Sequence, residues 1–220
     1  AGRGGVPGNA GAVLLNVTAT EPKAAGFITV YPCNVDTPHA SNVNYLGGAT
    51  QANAVITNVS SEGTVCLHTS TTTHLVADVV GYLGAEVTTG IDAPARVLDT
   101  RTGNPTVDGH FTGDGVVRPG STAKVSVAGR GGVPSDATAA FINVAAVNPA
   151  TAGYLTVYSC EVGRPFASSV NYLAGVTQAN MILTRISADG TVCIYSSGST
   201  DLIADVTATT TEDLPVEEFP

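Results

Sequence analysis

The chain has 220 residues, of which nine are Lys or Arg and eighteen are Asp or Glu, giving a formal net charge of −9 at pH 7. Because 43% of the residues are apolar and only 12% are charged, the composition excludes intrinsic disorder and predicts a folded core. The acidic balance offers no basic surface to phosphates, and no apolar run reaches the ~18 residues of a membrane span, so we predict no nucleic-acid partner and no membrane insertion.

Short runs rich in β-branched residues recur along the first part of the chain. They cover residues 12–19, 26–31, 53–59, 64–68 and 74–80. Clusters of Gly, Pro, Asn and Ser separate these runs at roughly ten-residue spacing, which is typical of antiparallel sandwiches or barrels rather than of βαβ units. No stretch keeps a 3.6-residue period, so the sequence predicts an all-β fold with little helix.

The later part of the chain repeats the first. The seven residues from Ala1 to Pro7 return from Ala128 to Pro134, and the same shift of 127 residues continues without a gap. Over the 79 aligned pairs that end at Val79 and Val206 there are 44 identities. This internal repeat predicts two homologous antiparallel β-sandwich-like domains in tandem.

The cysteines follow the same repeat. Cys33 and Cys66 are 33 residues apart, as are Cys160 and Cys193, and there is no C-x-x-C pair of the kind that binds zinc or performs thiol redox chemistry. We therefore expect one disulfide in each domain, Cys33 with Cys66 and Cys160 with Cys193, and an oxidising, extracellular setting. Four buried free thiols are the alternative.

The segment between the copies carries two further predicted strands, at 93–101 and 121–127, joined by a Gly-rich polar loop. We assign both strands to the second domain. The domains then span residues 1–84 and 90–210, and residues 211–220 form an acidic tail. On this assignment the first domain lacks the matching N-terminal strands, either because the fragment was cut inside a domain or because another chain supplies them.

The motifs of the two copies carry a family resemblance. They are A-G-R-G-G-V-P, L-N-V-T-A, G-F-I-T-V-Y-P-C, S-N-V-N-Y, Q-A-N and L-V-A-D-V-V-G-Y, with R-V-L-D-T-R-T-G before the second copy. They resemble a β-rich repeat of large secreted actinobacterial proteins, over nearly the whole chain. The resemblance implies an extracellular or cell-wall-associated location and an accessory role beside hydrolase domains such as wall amidases and peptidases. It implies no catalytic residues and no particular ligand.

The repeat also tests for catalytic side chains, because a catalytic set would be expected in both copies. No histidine is shared: the aligned pairs are His39 with Phe166, His68 with Tyr195 and His74 with Asp201, and His110 lies outside the repeat. No G-x-S-x-G or H-E-x-x-H motif is present. We therefore predict that the chain is not an enzyme and needs no metal or cofactor. We expect the shared carboxylate Asp78 to bond backbone amides or Arg3.

The densest shared polar residues are amides and tyrosines, which could recognise sugar hydroxyls. The candidate ligand-binding residues are Asn42, Asn44, Tyr45, Gln51, Asn53, Asn171, Tyr172, Gln178 and Asn180. The alternative is that these amides satisfy loop backbone, because stacking surface for sugars is scarce in a chain with no Trp and 5% aromatic residues.

Together these observations favour a non-catalytic secreted or cell-surface module that acts as a structural, spacer or adhesive element. One alternative is a module that binds cell-wall glycan, and a surface protein is a further candidate partner. Another alternative is a self-assembling subunit in which a neighbouring chain adds strands to the first domain.

Overall fold

A computed structural model describes residues 1–3, 5–84, 91 and 93–211 and confirms the all-β fold, with no helix in those residues. The first domain contains β1 (Ala10–Thr20), β2 (Gly26–Pro32), β3 (Val43–Tyr45), β4 (Gln51–Asn58), β5 (Val65–Thr69) and β6 (His74–Gly84). The second contains β7 (Ala95–Asp99), β8 (Ser121–Ser126), β9 (Ala139–Val147), β10 (Gly153–Ser159), β11 (Val170–Tyr172), β12 (Gln178–Arg185), β13 (Thr191–Ser196) and β14 (Asp201–Thr210).

Each domain is a sandwich of two antiparallel sheets. In domain one the strand orders are β4-β1-β6 and β3-β2-β5. In domain two they are β12-β9-β14-β7 and β11-β10-β13-β8, so the same plan gains one strand in each sheet. The added strands β7 and β8 are the two that the sequence predicts between the repeats.

Alternation along β1 explains how the sandwich forms. Val13, Leu15 and Val17 are buried and face the core, where they pack with Ile28 and Val30 of β2. The residues between them point to the opposite face of the sheet because successive side chains of a strand alternate. Domain two repeats this pattern around a larger core that includes residues of β7 and β8.

The predicted disulfides are both present. Cys33 is bonded to Cys66 and Cys160 to Cys193, each pair with Cα atoms 5.0 Å apart. Each bond ties the chain just after β2 or β10 to the neighbouring strand of the same sheet. The predicted acidic tail lies outside the described residues except for Thr211.

Candidate functional site

The predicted ligand-binding residues of domain one bond to their own domain. The buried Asn42 accepts a bond from the Val30 amide at 2.7 Å through its side-chain oxygen. Asn53 Nδ2 donates to the Asn42 carbonyl at 2.7 Å, and the hydroxyl groups of Tyr45 and Thr69 are 2.6 Å apart. The remaining pairs are Asn44 Nδ2 to Ser41 Oγ at 3.4 Å and Gln51 Nε2 to the Ala52 carbonyl at 2.9 Å.

Domain two repeats most of these contacts. Asn180 Nδ2 donates to the Ser169 carbonyl at 2.9 Å, and the hydroxyl groups of Tyr172 and Ser196 are 3.1 Å apart. Asn171 Nδ2 donates to Ser168 Oγ at 3.1 Å and Gln178 Nε2 to the Ala179 carbonyl at 3.2 Å. These bonds attach the short strands β3 and β11, with the loops before them, to the sandwich.

A glycine in each copy explains the place of the tyrosine. A Cβ atom added to Gly26 would lie 2.8 Å from the Tyr45 hydroxyl, and one added to Gly153 would lie 2.7 Å from that of Tyr172. Real Cβ atoms do not approach oxygen so closely, so each glycine leaves the space that its tyrosine occupies. The shared Gly and Tyr are therefore one packing unit.

A buried ion network lies on the sheet β12-β9-β14-β7, on the face that points away from the core of domain two. Arg96 of β7 reaches across to Asp205 of β14, with Nε to Oδ1 at 2.8 Å and Nη2 to Oδ2 at 3.1 Å, and its Nη1 lies 3.2 Å from Asp99. Both carboxylates are fully buried and Arg96 is 5% exposed. Arg101 closes the network with bonds of 2.9 and 2.7 Å to Asp99.

The network compensates for its own burial. Burial lowers the pKa of Arg96, but the charges and hydrogen bonds of Asp205 and Asp99 outweigh this, so the Arg96 pKa is raised. A buried charge that loses its partner destabilises the folded state, so each member of the network depends on the others.

Domain one docks on this network through the loop before β3. The Ser41 amide donates to Asp205 Oδ2 at 3.2 Å. Asn53 Nδ2 donates to Asn143 Oδ1 at 3.1 Å, and Asn143 Nδ2 donates to the Ser41 carbonyl. We call this set of contacts, with the network beneath it, the domain junction.

Apolar side chains extend the domain junction. Ile56 of β4 is 2% exposed and packs in a cluster with Ala208 and Met181 of domain two. The Ile56 amide also lies 3.2 Å from the Met181 sulfur. The junction therefore combines an apolar patch with satisfied polar groups, as stable interfaces do.

A cleft of about 520 Å³ opens beside the domain junction. Domain one lines it with Phe27, His39, Asn44 and His68, and domain two with Arg101 and Ile203, among others. Burial first, and then the nearby charge of Arg96, lower the pKa of His39. The cleft brings Asn44 and Tyr45 from the predicted set together with polar groups of the second domain.

The other histidines lie apart. His74 and His110 are largely exposed, at 3.9 Å from Glu21 and 3.5 Å from Asp108 respectively. Within residues 1–3, 5–84, 91 and 93–211, no three His, Cys, Asp or Glu side chains are grouped so that they could hold a metal ion. The same residues include no helix long and apolar enough to cross a membrane.

Sequence reasoning missed the partner of the shared aspartate. Asp205 binds Arg96, while the side chain of its counterpart Asp78 is exposed and makes no hydrogen bond in the described part of the chain. The structure therefore shows neither of the bonds predicted for the Asp78 side chain, to backbone amides or to Arg3. In domain two Arg130, the counterpart of Arg3, binds Asp108 at 2.7 Å. A signal was available: Arg96 and Asp205 each lie between two apolar residues of a buried strand, and such charges need partners.

No known protein-family model and no curated protein sequence matches the chain.

Proposed function

We propose that the chain is a non-catalytic structural module of a secreted or cell-surface protein, in which docked β-sandwich domains act as a stiff spacer. The observation that carries this proposal is the domain junction, where the loop at Ser41 bonds to a buried ion network instead of to solvent. If the two domains moved independently, water would solvate Asp205 and Asn143. In the structure both side chains are buried and bond to Ser41 of domain one.

The two disulfides support the location. They persist in oxidising compartments, which fits a secreted, extracellular or cell-wall-associated protein. The resemblance to repeats of secreted actinobacterial proteins points the same way. An adhesive role belongs to the same proposal. In that role the module would bind a surface protein or cell-wall glycan.

Interdomain distances test the spacer role. Spin labels placed on the exposed positions Thr72 and Thr122 would report the distance between the domains by double electron–electron resonance, and we expect one narrow distribution. Asn143→Ala removes both junction bonds of that amide, so it should broaden the distribution. Asn16→Ala changes the matching residue of domain one and is the control. A broad distribution in the unmodified chain would overturn the proposal.

The cleft beside the domain junction favours glycan binding as a second candidate function. Asn44 and Arg101 offer donors there, and Phe27 and His68, whose ring centroids are 6.3 Å apart, offer aromatic surface. Titration with soluble peptidoglycan fragments tests this reading. Binding lost in Asn44→Ala but kept in Asn171→Ala, outside the cleft, would support it, and no binding by the unmodified chain would end it.

A further inference from the structure

The last strand of each domain has the same sequence pattern in two different environments. Leu202, Ile203 and Val206 of β14 are 0%, 5% and 0% exposed. The aligned residues of β6 are 39%, 45% and 48% exposed, and they are Leu75, Val76 and Val79. Natural strands seldom leave such apolar residues open to water without a function.

The two strands differ in their neighbours. In domain two β7 pairs along β14, with Asp205 opposite Arg96 and Ala204 opposite Leu98. In the described residues of domain one, β6 pairs only with β1, so its other edge presents free backbone donors and acceptors. The edge of β5 that corresponds to the one covered by β8 is open in the same way.

A groove of about 750 Å³ occupies the space between these two open edges. Core residues Val13 and Leu15 form its floor, and Arg3, Asp78 and Val79 lie along its walls. We call it the strand groove. Its floor belongs to the apolar core of domain one, so a strand seated in it would complete that core.

Domain two shows which charges such a strand must carry. Arg130, the counterpart of Arg3, donates to the Val97 and Ser126 carbonyls at 2.9 and 2.7 Å and pairs with Asp108. It therefore joins β7, β8 and the loop between them. In the strand groove Arg3 aligns with Arg130 and Asp78 with Asp205. By analogy, Arg3 would bind two backbone carbonyls and a carboxylate of the added segment, and Asp78 would bind its arginine.

We infer that the strand groove binds a polypeptide segment of the same kind as residues 91–127, seated by strand addition with its arginine on Asp78 and its loop carboxylate on Arg3. The inference does not depend on the spacer role.

Two other occupants fit the groove less well. A second copy would have to withdraw its own β7 from domain two, which would leave the buried Asp205 without its arginine. Residues 211–220 contain acidic but no basic side chains, so they would set like charge against Asp78. A segment that is not already folded into a domain meets neither cost.

A synthetic peptide of residues 91–127, titrated into the full chain, tests the inference. We expect saturable 1:1 binding by calorimetry and slowed hydrogen exchange at the β5 and β6 edges. Asp78→Asn should weaken binding by about fivefold because it removes the ion pair with the arginine of the peptide. Asp36→Asn, which removes an exposed charge in a loop outside the groove, should leave it unchanged, and the Arg96→Ala peptide should bind as weakly as the Asp78→Asn chain does to the original peptide.

A covalent version decides the matter if the free peptide aggregates. Residues 91–127 are joined directly to Ala1, which reproduces the linkage between Val127 and Ala128 in domain two. We expect domain one of this fusion to melt higher and its β6 amides to exchange more slowly.

Three results would overturn the inference. The first is a fusion with unchanged exchange at β6, and the second is peptide binding that ignores Asp78→Asn. The third is a concentration-dependent dimer of the unmodified chain that the peptide cannot dissociate, which would assign the groove to a second copy.

Discussion

Asp205→Asn and Asp78→Asn make the same chemical change at aligned positions, and the structure predicts a large loss of stability for the first and almost none for the second. Asp205 is fully buried and accepts two bonds from Arg96, at 2.8 and 3.1 Å, and one from the Ser41 amide at 3.2 Å. Removing one partner of a buried ion pair costs about 3–5 kcal/mol. The side chain of Asp78 is exposed and forms no hydrogen bond in the described residues, and surface substitutions of this kind change the free energy of unfolding by no more than about 0.5 kcal/mol.

Urea and thermal unfolding followed by tyrosine fluorescence and by NMR measure both variants. A loss of 3–5 kcal/mol in a domain of this size corresponds to a melting temperature lower by about 10–20 °C. Amide signals resolve the domains, so the loss should fall on domain two and on the domain junction. Equal, small losses in the two variants would refute the reasoning, because the buried network would then contribute nothing that an exposed aspartate lacks.

Three further predictions use the same chain as its own control. Because folding lowers the pKa of His39 from its ordinary value of 6.5, the folded chain binds fewer protons than the unfolded chain just below that pH, and the free energy of unfolding declines as the pH falls through this range. His39→Phe, which introduces the residue of the second copy, should flatten this pH dependence in unfolding curves. Ile56→Ala should destabilise by about 2–4 kcal/mol, and Leu183→Ala, at an aligned position that is 45% exposed, by less than about 1 kcal/mol, as chemical denaturation will show. Replacing Cys33 and Cys66 together by serine should cost domain one about 3–4 kcal/mol, the loop-closure value for a separation of 33, with mass spectrometry confirming that the other disulfide is intact.

Much of the fold was predictable because it depends on local patterns. Runs rich in β-branched residues between turn residues predicted β1 and β2, and the repeat predicted both disulfides, since equal spacing in two copies leaves one economical pairing. β3 was missed because three residues in a polar stretch carry no alternation that stands out. Its place depends on Asn42 and Tyr45, whose partners are far away in the sequence.

The domain junction was beyond a comparison of the two copies. The pair formed by Arg96 and Asp205 spans 109 residues, and Arg96 lies in a segment with no counterpart in the first copy. The roles of the shared amides were also hidden, because Asn53 and Asn180 are the same residue type in the same motif. One bonds across the junction and the other is exposed, and only the neighbouring domain makes the difference.

The contact between the domains has a direction. Domain one contributes Ser41 and Asn53, domain two contributes Asp205 and Asn143, and the aligned Ser168 and Asn180 of domain two face solvent. A twofold pair consumes both of its surfaces, whereas this non-reciprocal pair leaves a leading face and a trailing face that are still different. Each further repeat joined in this manner would be related to the last by the same rotation and translation, and every added repeat would present a new free face to the next one.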